Sequence, residues 1–171
     1  MLNRVSQNLA SVKDEKVARN LAPIFAAMAD NSSTVALATA GLAITAAAGT
    51  TAKIGATPYY AFAGGRLVTI AAATVMPALT GLSISATAFN VVFFFVTAAG
   101  VVSALFGTQG ATLGAVTMPN SPLGQALVGI LIITHSATFT GGTTALDAAT
   151  TVFLSPIGSL DPSLIDRKSV V

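Results

Sequence analysis

Two periodicities divide the chain. Over the first thirty residues the apolar positions recur at helical spacing. Leu2, Val5, Leu9 and Val12 step by 3, 4 and 3, the seam of a short coiled coil. After a skip the stripe resumes at Val17, Leu21, Ile24 and Met28. The skip reads as a stutter or as two helices in sequence. Pro23 favours two pieces, because proline is accepted in a first helical turn and disrupts a helix interior. Asn31-Ser32-Ser33 closes the segment. The pattern predicts a helical arm over 1–32 that oligomerises or docks on a partner; the plainer alternative is a helix packed on its own domain.

From Thr34 onward the helical period is gone. Gly, Pro and Thr punctuate short apolar runs, which is the all-β pattern. Tyr59 to Ala63 and Leu67 to Ala71 flank Gly64-Gly65-Arg66; a Gly-Gly step suits a tight hairpin, since glycine takes φ > 0 without steric cost. Leu82 to Thr87 alternates apolar and polar, as a half-buried strand does. Phe89 to Thr97 and Val101 to Phe106 flank Ala98-Ala99-Gly100, a three-residue loop with glycine at the left-handed position. Ala126 to Ile133 is a continuous apolar run of strand length. Thr150 to Leu154 predicts a last strand, and 156–171, with two prolines and Asp166-Arg167-Lys168, an extended tail. The expected architecture is mainly β: an antiparallel β-sandwich or barrel-like domain over 33–155, with the short helical arm before it and the tail after it.

Charge changes this picture. Between Asp30 and Asp147 only Lys53 and Arg66 are charged, and from Leu67 to Leu146 nothing is. Lys, Arg, Asp and Glu make up 8% of the chain, against roughly a quarter in an ordinary soluble domain. The surface must be built from Thr, Ser and Ala; Thr alone occurs 21 times. Such a surface has little electrostatic guard against self-association. The neutral stretch is therefore expected inside a membrane or inside an assembly whose neighbours cover it.

The membrane alternative is an integral membrane protein such as a small pore-former. Phe89 to Gly107 and Val116 to Phe139 are both uncharged and long enough for hydropathy to flag them. No Lys or Arg flanks either one, and the chain has no Trp to form an interfacial belt. Gly, Thr and Pro cut both at strand spacing, and turns facing lipid leave backbone groups unpaired. The N-terminal residues also lack the apolar core of a secretory signal. Insertion in a membrane is accordingly not expected.

Candidate chemistry is sparse. His135 is the single histidine; Asp147 is its nearest acid in sequence, and Ser136 or Thr138 could be imagined as nucleophile. It reads as a strand-end or loop histidine. The six carboxylates, Asp14, Glu15, Asp30, Asp147, Asp161 and Asp166, form no metal-ligand spacing. There is no cysteine, hence no disulfide or thiolate site. No phosphate-binding loop, dinucleotide fingerprint or nucleophile elbow is present. Lys13, Lys16 and Arg19 are interleaved with Asp14 and Glu15, so no basic run lines a nucleic-acid groove. The reading is non-enzymatic, with no cofactor, no metal and no nucleic acid. Two isolated charges, Arg66 and Asp147, are expected at the surface or paired across a subunit contact. A glycan-binding role would need exposed aromatics, for which Tyr59 and Tyr60 are the candidates.

Five segments carry a resemblance: Tyr59-Tyr60-Ala61-Phe62-Ala63-Gly64-Gly65-Arg66-Leu67-Val68-Thr69; Phe89 to Gly100; Gly110 to Val116; Pro122 to Gly129; and Phe139 to Asp147. Together they look like the small virion structural proteins of tailed bacteriophages, of the head-decoration (cement) or head-fibre type, with fewer charges in the loops. The resemblance implies a β-sandwich or barrel-like domain, a homotrimer, attachment to the major capsid protein or another virion protein, and localisation to the phage particle. It supplies no catalytic residues. The expected function is decoration or stabilisation of the capsid through self-association and docking.

Overall fold

The computed structural model describes residues 33–158. The arm positions Leu2, Val5, Leu9, Val12, Val17, Leu21, Ile24 and Met28, and the tail from 159, lie outside them. The described chain is mainly β, and every named strand pairing is antiparallel.

Eleven strands run in chain order: β1 (Val35–Ala36), β2 (Ala43–Ile44), β3 (Ala52–Lys53), β4 (Tyr59–Ala63), β5 (Arg66–Ile70), β6 (Ser83–Ile84), β7 (Phe89–Val96), β8 (Val102–Phe106), β9 (Ala126–Thr134), β10 (Phe139–Thr140) and β11 (Thr150–Leu154). They form a four-stranded sheet ordered β11-β9-β7-β8, a three-stranded sheet ordered β1-β4-β5, and the pairs β2-β3 and β6-β10. All four are open sheets with edges, so the sandwich-like alternative describes them better than the barrel.

The two larger sheets share one core. Ala36, Tyr59, Ala61, Ala63, Val68 and Ile70 from the smaller sheet meet Val92, Phe94, Val96, Val128, Leu131 and Ile133 from the larger. Tyr59 ties the layers together, its hydroxyl donating to the Leu127 carbonyl at 2.8 Å.

The larger sheet is apolar on its other face too. There Val91, stacked Phe93 and Phe95, Leu127 and Ile130 pack with Val116 and Met118 of the loop after β8. A strand buried on both faces is apolar at nearly every position; in β7 the exception is Asn90, whose Oδ1 accepts from Val91 N–H at 2.7 Å. Burial on both faces explains the long apolar runs in β7 and β9, which hydropathy alone reads as membrane spans. No helix of the described residues is long and apolar enough to cross a membrane.

The turns follow from local chemistry. Gly64 and Gly65 both have positive φ, 54° and 76°, the backbone of a two-residue type I′ hairpin. The turn is one residue shorter than the sequence suggests, because Arg66 is already the first residue of β5, opposite Ala63. Gly100, at φ 81°, closes the β7–β8 loop as expected, with Thr97 N–H bonded to Val101 O at 3.0 Å. The strand expected over Leu82 to Thr87 is cut to two residues. Thr87 turns to φ 62° and Ala88 N–H bonds back to Ser85 O, ending the extended run. At the far end Gly158 exchanges two hydrogen bonds with Ala36, 3.0 and 2.9 Å, so pairing continues past 155 and covers the outer edge of β1.

Candidate association surface

The outer face of the three-stranded sheet is apolar and open. In β4, Tyr59, Ala61 and Ala63 face the core, while Tyr60 and Phe62 face out. Past Tyr59 the size order is the reverse of what core packing alone favours: Ala61 and Ala63 are buried, and the rings of Tyr60 and Phe62 are exposed. Small inward residues let the sheet lie close on its neighbour, and the bulk is left outside. Tyr60 is 41% exposed, Leu67 of β5 60%, and Leu37, just past β1, 47%.

Register lines these residues up in two rows. Val35, Phe62 and Leu67 are direct cross-strand neighbours. In the next row Leu37 N–H donates to Tyr60 O at 2.9 Å, and Tyr60 lies opposite Thr69. Cross-strand neighbours on one face touch, so the rows make a continuous apolar patch. Monomeric soluble proteins seldom expose large patches of this kind.

The two isolated charges lie on different elements, Arg66 in β5 and Asp147 in the connection between β10 and β11. Arg66 is exposed at the start of β5, beside the patch. Asp147, also exposed, accepts a hydrogen bond from Ala48 N–H at 2.7 Å. Ala48 has φ 57°, so this carboxylate secures a turn in the left-handed region, and Leu146 N–H adds a bond to Gly49 O at 2.8 Å. Sequence reasoning offered no signal for that local role, since the partner is a backbone group 99 residues away.

His135 follows the end of β9. Its Nδ1 lies 3.2 Å from Ala137 N and 3.0 Å from Ala137 O, and its carbonyl accepts from Thr87 N–H. The shallow hollow beside it, about 180 Å³, is lined by Thr87, Thr134, Ser136 and Thr150. A second, about 240 Å³, is lined by Ala86, Thr87, Ala88, Gln109, Gly110 and Ala111. No carboxylate lines either one. Among the described residues no three acids or histidines gather as a metal site.

The aromatic pair proposed for glycan contact is split. Tyr59 is fully buried, and burial pushes its phenol well above the ordinary tyrosine range; only Tyr60 can meet a ligand. No family model, curated protein or solved structure matches the chain.

Proposed function

We propose that this chain is a non-enzymatic structural subunit of a bacteriophage particle, which decorates or stabilises the capsid by associating with itself and docking on a virion protein. The observation that carries the reading is the exposed apolar sheet face of Leu37, Tyr60, Phe62 and Leu67, set in a surface almost free of charge. The domain has its own core, so this face is spare apolar area, available for contact with neighbours at roughly 25 cal/mol per Å² buried. The sequence resemblance to small phage virion proteins supplies the setting and the homotrimeric state. In this scheme residues 1–32 trimerise or dock, and the β domain makes lateral contacts that add up by avidity over many copies.

Deleting residues 1–30 is expected to abolish incorporation into particles while leaving the β domain folded. Normal incorporation of the truncated chain would contradict the docking role. For the charges, Arg66→Gln is expected to weaken self-association if Arg66 pairs with Asp147 of a neighbour. If Arg66→Gln and Asp147→Asn both leave the oligomer mass and thermal midpoint untouched, no such pair exists.

A further inference from the structure

Among the described residues, the three-stranded sheet has one covered edge and one open edge. Along a strand, consecutive residues direct their backbone groups to opposite sides. Leu37 N–H donates to Tyr60 O, so Tyr60 and Phe62 direct theirs toward β1, and Tyr59, Ala61 and Ala63 direct theirs toward β5. Their register partners are Ile70, Val68 and Arg66. Leu67 and Thr69 therefore point their N–H and C=O groups away from β4, and no described residue bonds to them there. On the other side of the sheet, Ala36 is paired with Gly158.

Proteins guard an open edge with proline, a bulge, inward charges or a covering segment. Among the described residues Arg66-Leu67-Val68-Thr69-Ile70 has none of these; its one charge, Arg66, is exposed at its end. The β8 edge differs. All its residues are half-buried, and Ser103 is tied to Gln125 of the loop that follows, before β9.

The geometry points to antiparallel pairing of β5 with β5 of a second copy, about a two-fold axis through Val68. This rests on the self-association reading and names its contact. An isologous contact requires a self-complementary surface, and this edge is one. Centred on Val68, Leu67 of each copy lies opposite Thr69 of the other. Each such pair exchanges two hydrogen bonds, four in all, and uses every free backbone group of the edge. Antiparallel pairing also sends the two Arg66 residues to opposite ends of the joint, about 14 Å apart along the strand, beyond the range of strong repulsion at physiological salt. Parallel pairing would set them side by side. The result is a six-stranded sheet, β1-β4-β5-β5-β4-β1, with the apolar rows running across the joint. Edge pairing buries less than the roughly 1,200 Å² of a stable standard interface. It thus suits a lateral contact between neighbouring trimers, repeated over a shell.

The absence of cysteine makes the register directly testable. Leu67→Cys and Thr69→Cys are prepared separately in the full chain, then mixed and oxidised in a glutathione buffer. Both positions are exposed, so neither variant disturbs the core. In the paired register position 67 meets position 69 of the other copy at a Cα separation of about 5.5 Å, within disulfide reach. Identical positions are about 9 Å apart, beyond the roughly 7 Å limit. A covalent species of twice 17.0 kDa is expected in the mixture and absent from either variant alone. Adding Thr69→Pro to the Leu67→Cys chain removes an N–H that β4 does not use and is expected to abolish its cross-link to the Thr69→Cys chain. If the mixture gives no heterodisulfide while the wild type still exceeds monomer mass, self-association stands and this contact is wrong. A wild type that stays monomeric at every concentration overturns both.

Discussion

At the scale of single residues, close packing makes specific demands. Val128 has no partner in β7, because the register shifts between Phe94 and Phe95. The bulge brings Gly129 against the core side, where a Cβ would lie 2.5 Å from Leu42 Cδ1 and 2.9 Å from Leu154 O. Gly129→Ala is expected to destabilise by roughly 1–3 kcal/mol, the usual cost of overpacking. Gly114, whose added Cβ would meet nothing within 4 Å, is the control, and Gly114→Ala should unfold with the wild-type midpoint in denaturant. Asp147 makes a second residue-scale claim. Removing its bond to Ala48 should lower the melting temperature, with Asp147→Ala below Asp147→Asn, because the amide oxygen of Asn still accepts. Equal midpoints for all three chains would mean the bond contributes nothing.

Tyr59 makes a third. Its phenol is held protonated by burial, so the folded state keeps a proton that the unfolded chain releases above pH about 10. A raised folded value means that stability is fully present below that pH and declines above it, by up to ~1.4 kcal/mol per pH unit. Denaturant melts of wild type and Tyr59→Phe should differ by a constant below pH 10 and converge above it. A constant difference throughout would show that Tyr59 ionises freely in the folded state.

At the scale of elements, length decides what could be read in advance. The β4–β5 and β7–β8 hairpins, β9 and β11 span enough residues to display a period or a turn signature, and all four were readable. The two-residue strands β1, β2, β3 and β10 are too short to carry a period, whereas β6 lies within the alternating run Leu82 to Thr87; pairing of such short strands depends on distant partners, such as Phe139 opposite Ile84. The association surface was hidden for another reason. Tyr59-Tyr60-Ala61-Phe62-Ala63 is apolar in both phases, so alternation cannot say which face is inward. Only the approach of the second sheet decides that the alanines are. The same ambiguity made Tyr59 look available to a ligand. The Gly-Gly turn of this hairpin was plain, and it gives an element-scale prediction. Gly65→Asn should be tolerated, because Asn accepts the left-handed region, whereas Gly65→Val should cost about 1–2 kcal/mol; a thermal melt of each separates them.

At the scale of the whole molecule, the chain combines a domain with its own apolar core and a surface almost without charge. An exposed apolar sheet face and an unguarded strand edge sit together on one side of it. Each of these features alone is tolerable in a monomer. Together they leave a domain with apolar surface and backbone groups to spare, the combination on which the proposed role as a repeating subunit rests. The most direct test is size exclusion with light scattering on the full chain in buffer without detergent. A discrete trimer near three times 17.0 kDa is expected at low concentration, growing to larger species as concentration rises. A 17.0 kDa monomer at all concentrations, or protein recovered only in detergent, would contradict it.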